Sequence, residues 1–188
     1  VSPNLDLVGD TDIATGRGIL TDWSLRTNVP GVFAAGDCAE IVREGEARNL
    51  LQQVWYTGGM QGEVAAASMA GEQVTYDPGI WYNSAKFLDL EYQTYGTVLP
   101  NPPDGETQLW WESADGRHGM RLAHAADGAF TGVNIMGMRY RHRVFEQWID
   151  EQRSIDDVVG RLGEANFDTE FVRRHEDRMI ATFREQMR

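Results

Sequence analysis

The chain has 188 residues, enough for one ordinary domain or two small ones. Its 29 acidic residues against 17 basic ones leave a net charge of −12, which excludes a nucleic-acid binder, because phosphate backbones require Lys and Arg. No run reaches the roughly 20 apolar residues that span a bilayer and no secretory leader is visible, so the expectation is a cytoplasmic protein without a membrane span.

The first element legible from the residues themselves is the apolar run Val32, Phe33, Ala34 and Ala35, suited to a buried parallel strand. It stops at Gly36 and Asp37. A residue without a side chain lets the backbone approach a ligand, and the carboxylate can accept a hydrogen bond from a hydroxyl. Cys38 follows as the sole cysteine. It excludes an internal disulfide and a CxxC dithiol, and it reads as a small buried residue at a strand end. Residues 63–70, EVAAASMA, continue a helix that Gly71 terminates.

Residues 27–40, TNVPGVFAAGDCAE, resemble the second flavin-binding motif of FAD-dependent pyridine nucleotide oxidoreductases. Ser2-Pro3-Asn4-Leu5 resembles the exit from that family's NAD(P)-binding domain, and residues 16–22, GRGILTD, resemble the small strand and turn before the flavin motif. Residues 53–62, QVWYTGGMQG, resemble the loop and helix start that approach the flavin ring. A Trp ahead of a helix carrying Gln-Gly is similar to the ferredoxin, rubredoxin and nitrite reductase branch.

This ordered series covers about the first 75 residues. It implies FAD as cofactor, with Gly36 and Asp37 at its ribityl and pyrophosphate part and with Gln53 and Trp55 near the ring. It also implies NAD(P)H as co-substrate of the complete enzyme. Trp55 stands either at the isoalloxazine edge or as a packing aromatic at a helix start. No catalytic residue is singled out, and nitrite, ferredoxin, rubredoxin, oxygen and quinone all stay open as electron acceptor.

The family's Gly-rich GxGxxG turns, one for FAD and one for the nicotinamide cofactor, do not occur. The expectation is therefore the C-terminal portion of such a reductase. A homo-oligomer, or association with a chain carrying the nucleotide-binding folds, would cover the bare strand, and only the latter or an upstream region would supply the missing folds. The alternative is a non-catalytic dimerisation or interaction module derived from such an enzyme.

Asp77, Pro78 and Gly79 break the helical pattern and divide the chain into residues 1–75 and 76–188. Lys86 is the only lysine among the 17 basic residues. With the high acidity, this suits a protein made in concentrated salt, although a GC-rich genome also accounts for it. Residues 87–98 mix aromatic and β-branched side chains with partial alternation and predict one mostly buried strand. Strands at 107–112, 118–124 and 129–136, with turns at Asp115-Gly116 and Asp127-Gly128, predict an antiparallel sheet. Neighbouring Trp110 and Trp111 point to opposite faces of their strand, so one packs in the core.

Residues 139–152 place Val144, Phe145, Trp148 and Ile149 on one helical face. Arg139, Arg141, His142 and Arg143 form a basic knot, read as a solvated face pairing with acids or as a phosphate contact. Ser154 with Asp157 resembles a capping box for a short helix through Leu162. Asp168 or Thr169 caps a final helix carrying Phe171, Met179, Ile180, Phe183 and Met187.

His118, His124, His142 and His175 lack ligand spacing, and no metal is expected. The fold class is α+β, a partial Rossmann-type FAD-binding segment followed by an antiparallel sheet packed with helices. Residues 128–137 resemble the strand leading to a helix in the C-terminal domain of the same reductases, which often mediates dimerisation; the His-Pro pair of some branches is absent.

Overall fold

The computed structural model describes residues 2–45, 48–167, 170 and 173–188. The chain divides into two units, Val1–Gly79 and Ile80–Arg188, and each holds its own apolar cluster. The architecture is α+β in both.

In the first unit, β1 (Ile19–Thr21), β2 (Ala39–Ile41) and β3 (Leu50–Leu51) form a sheet in that order. β1 runs parallel to β2, and β3 antiparallel to it. Leu25, Ala34, Ala39, Ile41, Ala65 and Tyr76 make the core. Ahead of β1, a Cβ on Gly18 would lie 2.6 Å from the Cys38 carbonyl oxygen, so only glycine lets the two segments meet. Helix α1 (Trp55–Met69) ends at Ala70, and Gly71 takes the left-handed conformation (φ +91°) that stops it.

Residues 32–35 do not form the parallel strand that their side chains predict. Ala35 is extended (φ −146°, ψ 158°), but the run's ladder neighbour among the described residues is the segment 25–27, on an antiparallel course. Thr27 N–H donates to the Val32 carbonyl at 3.0 Å and Ala34 N–H to the Leu25 carbonyl at 3.1 Å, and the pairing amounts to a single bridge, Arg26 to Phe33. An apolar run becomes a strand only where neighbouring backbone supplies a ladder.

The second unit carries a fully antiparallel five-stranded sheet. β4 (Tyr82–Phe87), β5 (Leu90–Gly96), β6 (Thr107–Glu112), β7 (Gly119–His124) and β8 (Phe130–Met136) lie in the order β4-β5-β8-β7-β6. The last three fall where the sequence puts them. The stretch 87–98 is not one strand, because the chain reverses at Leu88 and Asp89, with Leu88 at φ +53° and 94% exposed. A Leu-Asp turn carries none of the Gly or Asn signature that marks a hairpin. Edge strand β4 presents Lys86 to solvent.

Helix α2 (His142–Asp150) starts later than its apolar spacing predicts. The preceding residues are held elsewhere: Tyr140 bridges to Asn166, and Arg141 N–H donates to the Ala165 carbonyl at 2.7 Å. Helix α3 (Ile155–Gly160) is capped as predicted, the Ser154 hydroxyl accepting from Asp157 N–H at 3.3 Å. Leu162 then opens a 3-10 turn rather than ending that helix.

Helix α4 (Glu176–Gln186) buries Met179 and Phe183, with Ile180 and Met187 packed beside them. The proposed caps Asp168 and Thr169, and Phe171, lie outside the described residues. Phe145 centres the core, with the rings of Tyr95, Phe130, Tyr140 and Trp148 at 5.5–6.1 Å. Trp111 is 5% exposed, while Trp110, on the opposite face, is 37% exposed beneath the Arg121 guanidinium. Among the described residues, no helix is long and apolar enough to cross a membrane.

Candidate functional site

The four residues singled out from the sequence, Gly36, Asp37, Gln53 and Trp55, all lie in the first unit. Gly36 and Asp37 open a one-turn 3-10 segment, Gly36–Cys38, that leads directly into β2. Gly36 has φ +79°, a conformation that glycine adopts without strain. Its N–H donates to Gln61 Oε1 on α1 at 2.8 Å. A Cβ on Gly58 of α1 would come within 3.5 Å of the Gly36 Cα, so the helix and the turn touch backbone to backbone. The side chain of Gln53 reaches the Asp37 carbonyl oxygen through Nε2, at a long 3.5 Å. The turn, the loop before α1 and the start of α1 therefore form one cluster.

The side chains of this cluster face outward. Asp37 is exposed, and Trp55, the first residue of α1, is 86% exposed. Its ring meets Tyr56 edge-on at 5.8 Å. The helix starts from Val54 in extended conformation, with no side-chain cap and no acid in its first turn. The positive end of its dipole is thus not answered by an acid of its own first turn. Trp55 is not a packing aromatic of the described core.

The interior beneath the cluster is polar. Gln61 is fully buried; Oε1 is used by Gly36, and Nε2 finds no partner among the described residues. Gln52 accepts from the Tyr76 hydroxyl at 2.8 Å. Glu40, buried in β2, accepts from Gly18 N–H at 2.8 Å and faces Arg17 Nε at 3.5 Å. Burial pushes its carboxyl up, but hydrogen bonds from Gly18, Asn49 and Arg17 outweigh this and hold it below the usual carboxylate range. Cys38 is half-buried, its thiol directed at the Ala35 carbonyl at 3.6 Å.

Sequence reasoning left Gln61 without a role. The signal available was a large polar residue set among Gly58, Gly59, Gly62 and Ala65, where small neighbours allow the turn to close on the helix.

The second unit contains two polar clusters that serve the fold. Tyr140 Oη donates to Glu176 Oε1 at 2.7 Å, Asn166 Nδ2 donates to the same oxygen, and His175 N–H donates to Oε2 at 3.1 Å. Burial raises the Glu176 carboxyl, and those donors bring it below its ordinary value; burial and that carboxylate push the Tyr140 phenol far up. Ser113, Asp115 and His118 sit in the β6–β7 turn. There the Ser113 hydroxyl donates to Asp115 at 2.5 Å, which ties the turn rather than priming a nucleophile. Among the described residues, no three His, Cys, Asp or Glu side chains converge as metal ligands.

Residues 1–73 match the model of the family described as pyridine nucleotide-disulphide oxidoreductase. The chain is 33% identical over 103 residues to the NADH-rubredoxin oxidoreductase of Clostridium acetobutylicum, covering 55% of this chain and 26% of that protein. It is 30% identical over 139 residues to the rubredoxin-NAD(+) reductase of Acinetobacter baylyi, covering 73% of this chain and 32% of that protein. The chain thus spans about a quarter to a third of the curated relatives it matches. Among solved structures, a NAD-dependent persulfide reductase from A. fulgidus shares the fold over 99% of this chain and 37% of its own, with TM-score 0.67 and 17% identity. The solved NADH:rubredoxin oxidoreductase of Clostridium acetobutylicum matches 82% of this chain and 38% of its own, with TM-score 0.55 and 23% identity. Through its first 73 residues, the chain is similar to the pyridine nucleotide-disulphide oxidoreductases, and over nearly its whole length it shares their fold.

Proposed function

We propose that this chain forms part of a FAD-dependent NAD(P)H oxidoreductase, in which hydride passes from NAD(P)H to FAD and electrons pass on to an acceptor. FAD, when bound, supplies the redox chemistry, and the protein supplies position and electrostatics. The observation that carries the reading is the joining of Gly36 and Asp37 to the uncapped start of α1, with Gln53 between them.

The donor and acceptor set fits that cofactor. The Asp37 carboxylate accepts from a ribityl hydroxyl, and Gly36 keeps the space above the turn open, with no atom within 4 Å of where its Cβ would stand. When FAD is bound, the positive end of the α1 dipole beside Trp55 would favour negative charge on the reduced ring. Trp55 would stand beside the bound ring and limit its contact with water. The two dinucleotide cradles, whose Gly-rich turns these residues lack, would come from polypeptide other than these 188 residues. The relatives' names favour NADH as donor and rubredoxin as acceptor, and a cytoplasmic location suits both.

Titrating FAD into the purified chain, followed by gel filtration, tests the half-site. Little flavin should co-elute with the chain alone, and binding should rise when a polypeptide bearing the dinucleotide folds is added. In that assembly Asp37→Ala should weaken FAD by roughly 10- to 100-fold, the worth of one hydrogen bond to a charged group. Unchanged affinity on flavin fluorescence titration would sink the assignment.

A further inference from the structure

A second site lies wholly within the second unit and does not rest on the flavin reading. We propose that the groove beneath the start of α2 binds a small organic anion, one with a phosphate or carboxylate head and an apolar body. Tyr95, Val144 and Phe167 line it with carbon, Arg139, Arg141 and Arg143 line it with charge, and the space measures about 460 Å³. That size matches a small-molecule ligand and far exceeds a bare phosphate ion.

The groove's charge is positive on balance and open to an anion. Acids outnumber bases 29 to 17 in this chain, and some of the second unit's arginines pair with them. Arg153 bonds Glu151 and Asp157, and Arg161 bonds Glu164. At the groove, Arg139 is matched by Glu91 at 2.7 Å. Arg141 and Arg143 are exposed and have no ion-pair partner among the described residues. Arg141 is the N-cap residue of α2 and Arg143 lies in its first turn, which has no acid and no side-chain cap, so both add to the positive end of the helix dipole. Two exposed guanidinium groups without an ion pair among the described residues thus border an apolar floor.

The neighbouring aromatic side chains hold this geometry. The His142 imidazole stacks with Tyr82 and with Tyr95, at ring distances of 6.3 and 6.0 Å. Tyr95 stacks in turn on the core residue Phe145 at 5.8 Å. A planar apolar group entering beside Tyr95 meets a wall that is already ordered, and the two arginines offer paired N–H donors to its anionic head.

The test uses the full chain and follows the His142 ring resonances by NMR, with inorganic phosphate and phenyl phosphate as probes. Phenyl phosphate should give a saturable shift in the millimolar range or below, about tenfold tighter than inorganic phosphate because the ring buries apolar surface. The double variant R141Q/R143Q should lose that shift while keeping the same melting temperature, since both side chains are exposed. No saturable shift, equal affinity for the two probes, or an unaltered titration in the double variant would each overturn the proposal.

Discussion

The two units solve the problem of burial in opposite ways. Among the described residues, the second buries twenty apolar residues and three polar ones, whereas the first buries seven of each. Thr21, Gln61 and Ser68 in the first unit hold buried polar atoms without a partner, against Thr131 alone in the second. The second unit's five strands are closed over by helices carrying Phe145, Trp148, Met179 and Phe183. The first has strands of only two or three residues and relies on hydrogen bonds to Glu40, Gln52 and Gln61. Apolar burial gives stability without direction, while buried polar groups fix positions at an energetic cost. The unit that carries the cluster of Gly36, Asp37 and Gln53 is the one built by position.

The contrast can be broken most forcefully at Phe145. Phe145→Ala should destabilise the second unit by about 3–5 kcal/mol, the cost of an aromatic cavity. Hydrogen exchange mapped along the chain should show lost protection in β5, β8 and α2, with the first unit spared. Glu40→Ala is the converse. It leaves the Gly18 N–H without its acceptor and should cost about 1–3 kcal/mol, confined to β1 and β2 on the same measurement.

The acid limb sharpens the comparison further. Glu40 and Glu176 are both held below their ordinary value of 4.5 in the folded chain. Their contribution is therefore complete above that value and is lost as pH falls through the lower folded value. Urea midpoints measured from neutral pH downward should decline in both units, and Glu40→Ala should flatten the decline in the first alone. The smallest effect is at a cap: Ser154→Ala should lower thermal stability by about 1 kcal/mol, confined to the second unit.

Much of this was legible where the signal is local. The Gly71 stop of α1, the turns around Asp115 and Asp127 and the Ser154 cap each depend on a few adjacent residues, and the chain forms them where expected. What escaped depends on distant partners. The run 32–35 had the right side chains but no long ladder to join. The reversal at Leu88 has no turn signature of its own; β5 returns there to pair with both β4 and β8. Gly96 shows the same limit. Its Cβ would stand 2.1 Å from the Thr131 carbonyl oxygen, a crowding that only the folded sheet reveals. In the candidate site, the motif pointed to Gly36 and Asp37, but the hydrogen bond from Gly36 to Gln61 required the helix and turn to be placed in space.

Lys86, alone of its kind and facing solvent on edge strand β4, turns the sheet's rim into a measurable clock. An endoprotease specific for lysine has a single target bond among these residues, beside the exposed turn that closes the β4–β5 hairpin, and it cuts faster the more often that hairpin end opens. One cut yields one pair of fragments, so the digestion rate reads the fraying of that hairpin directly, with no competing sites to disentangle.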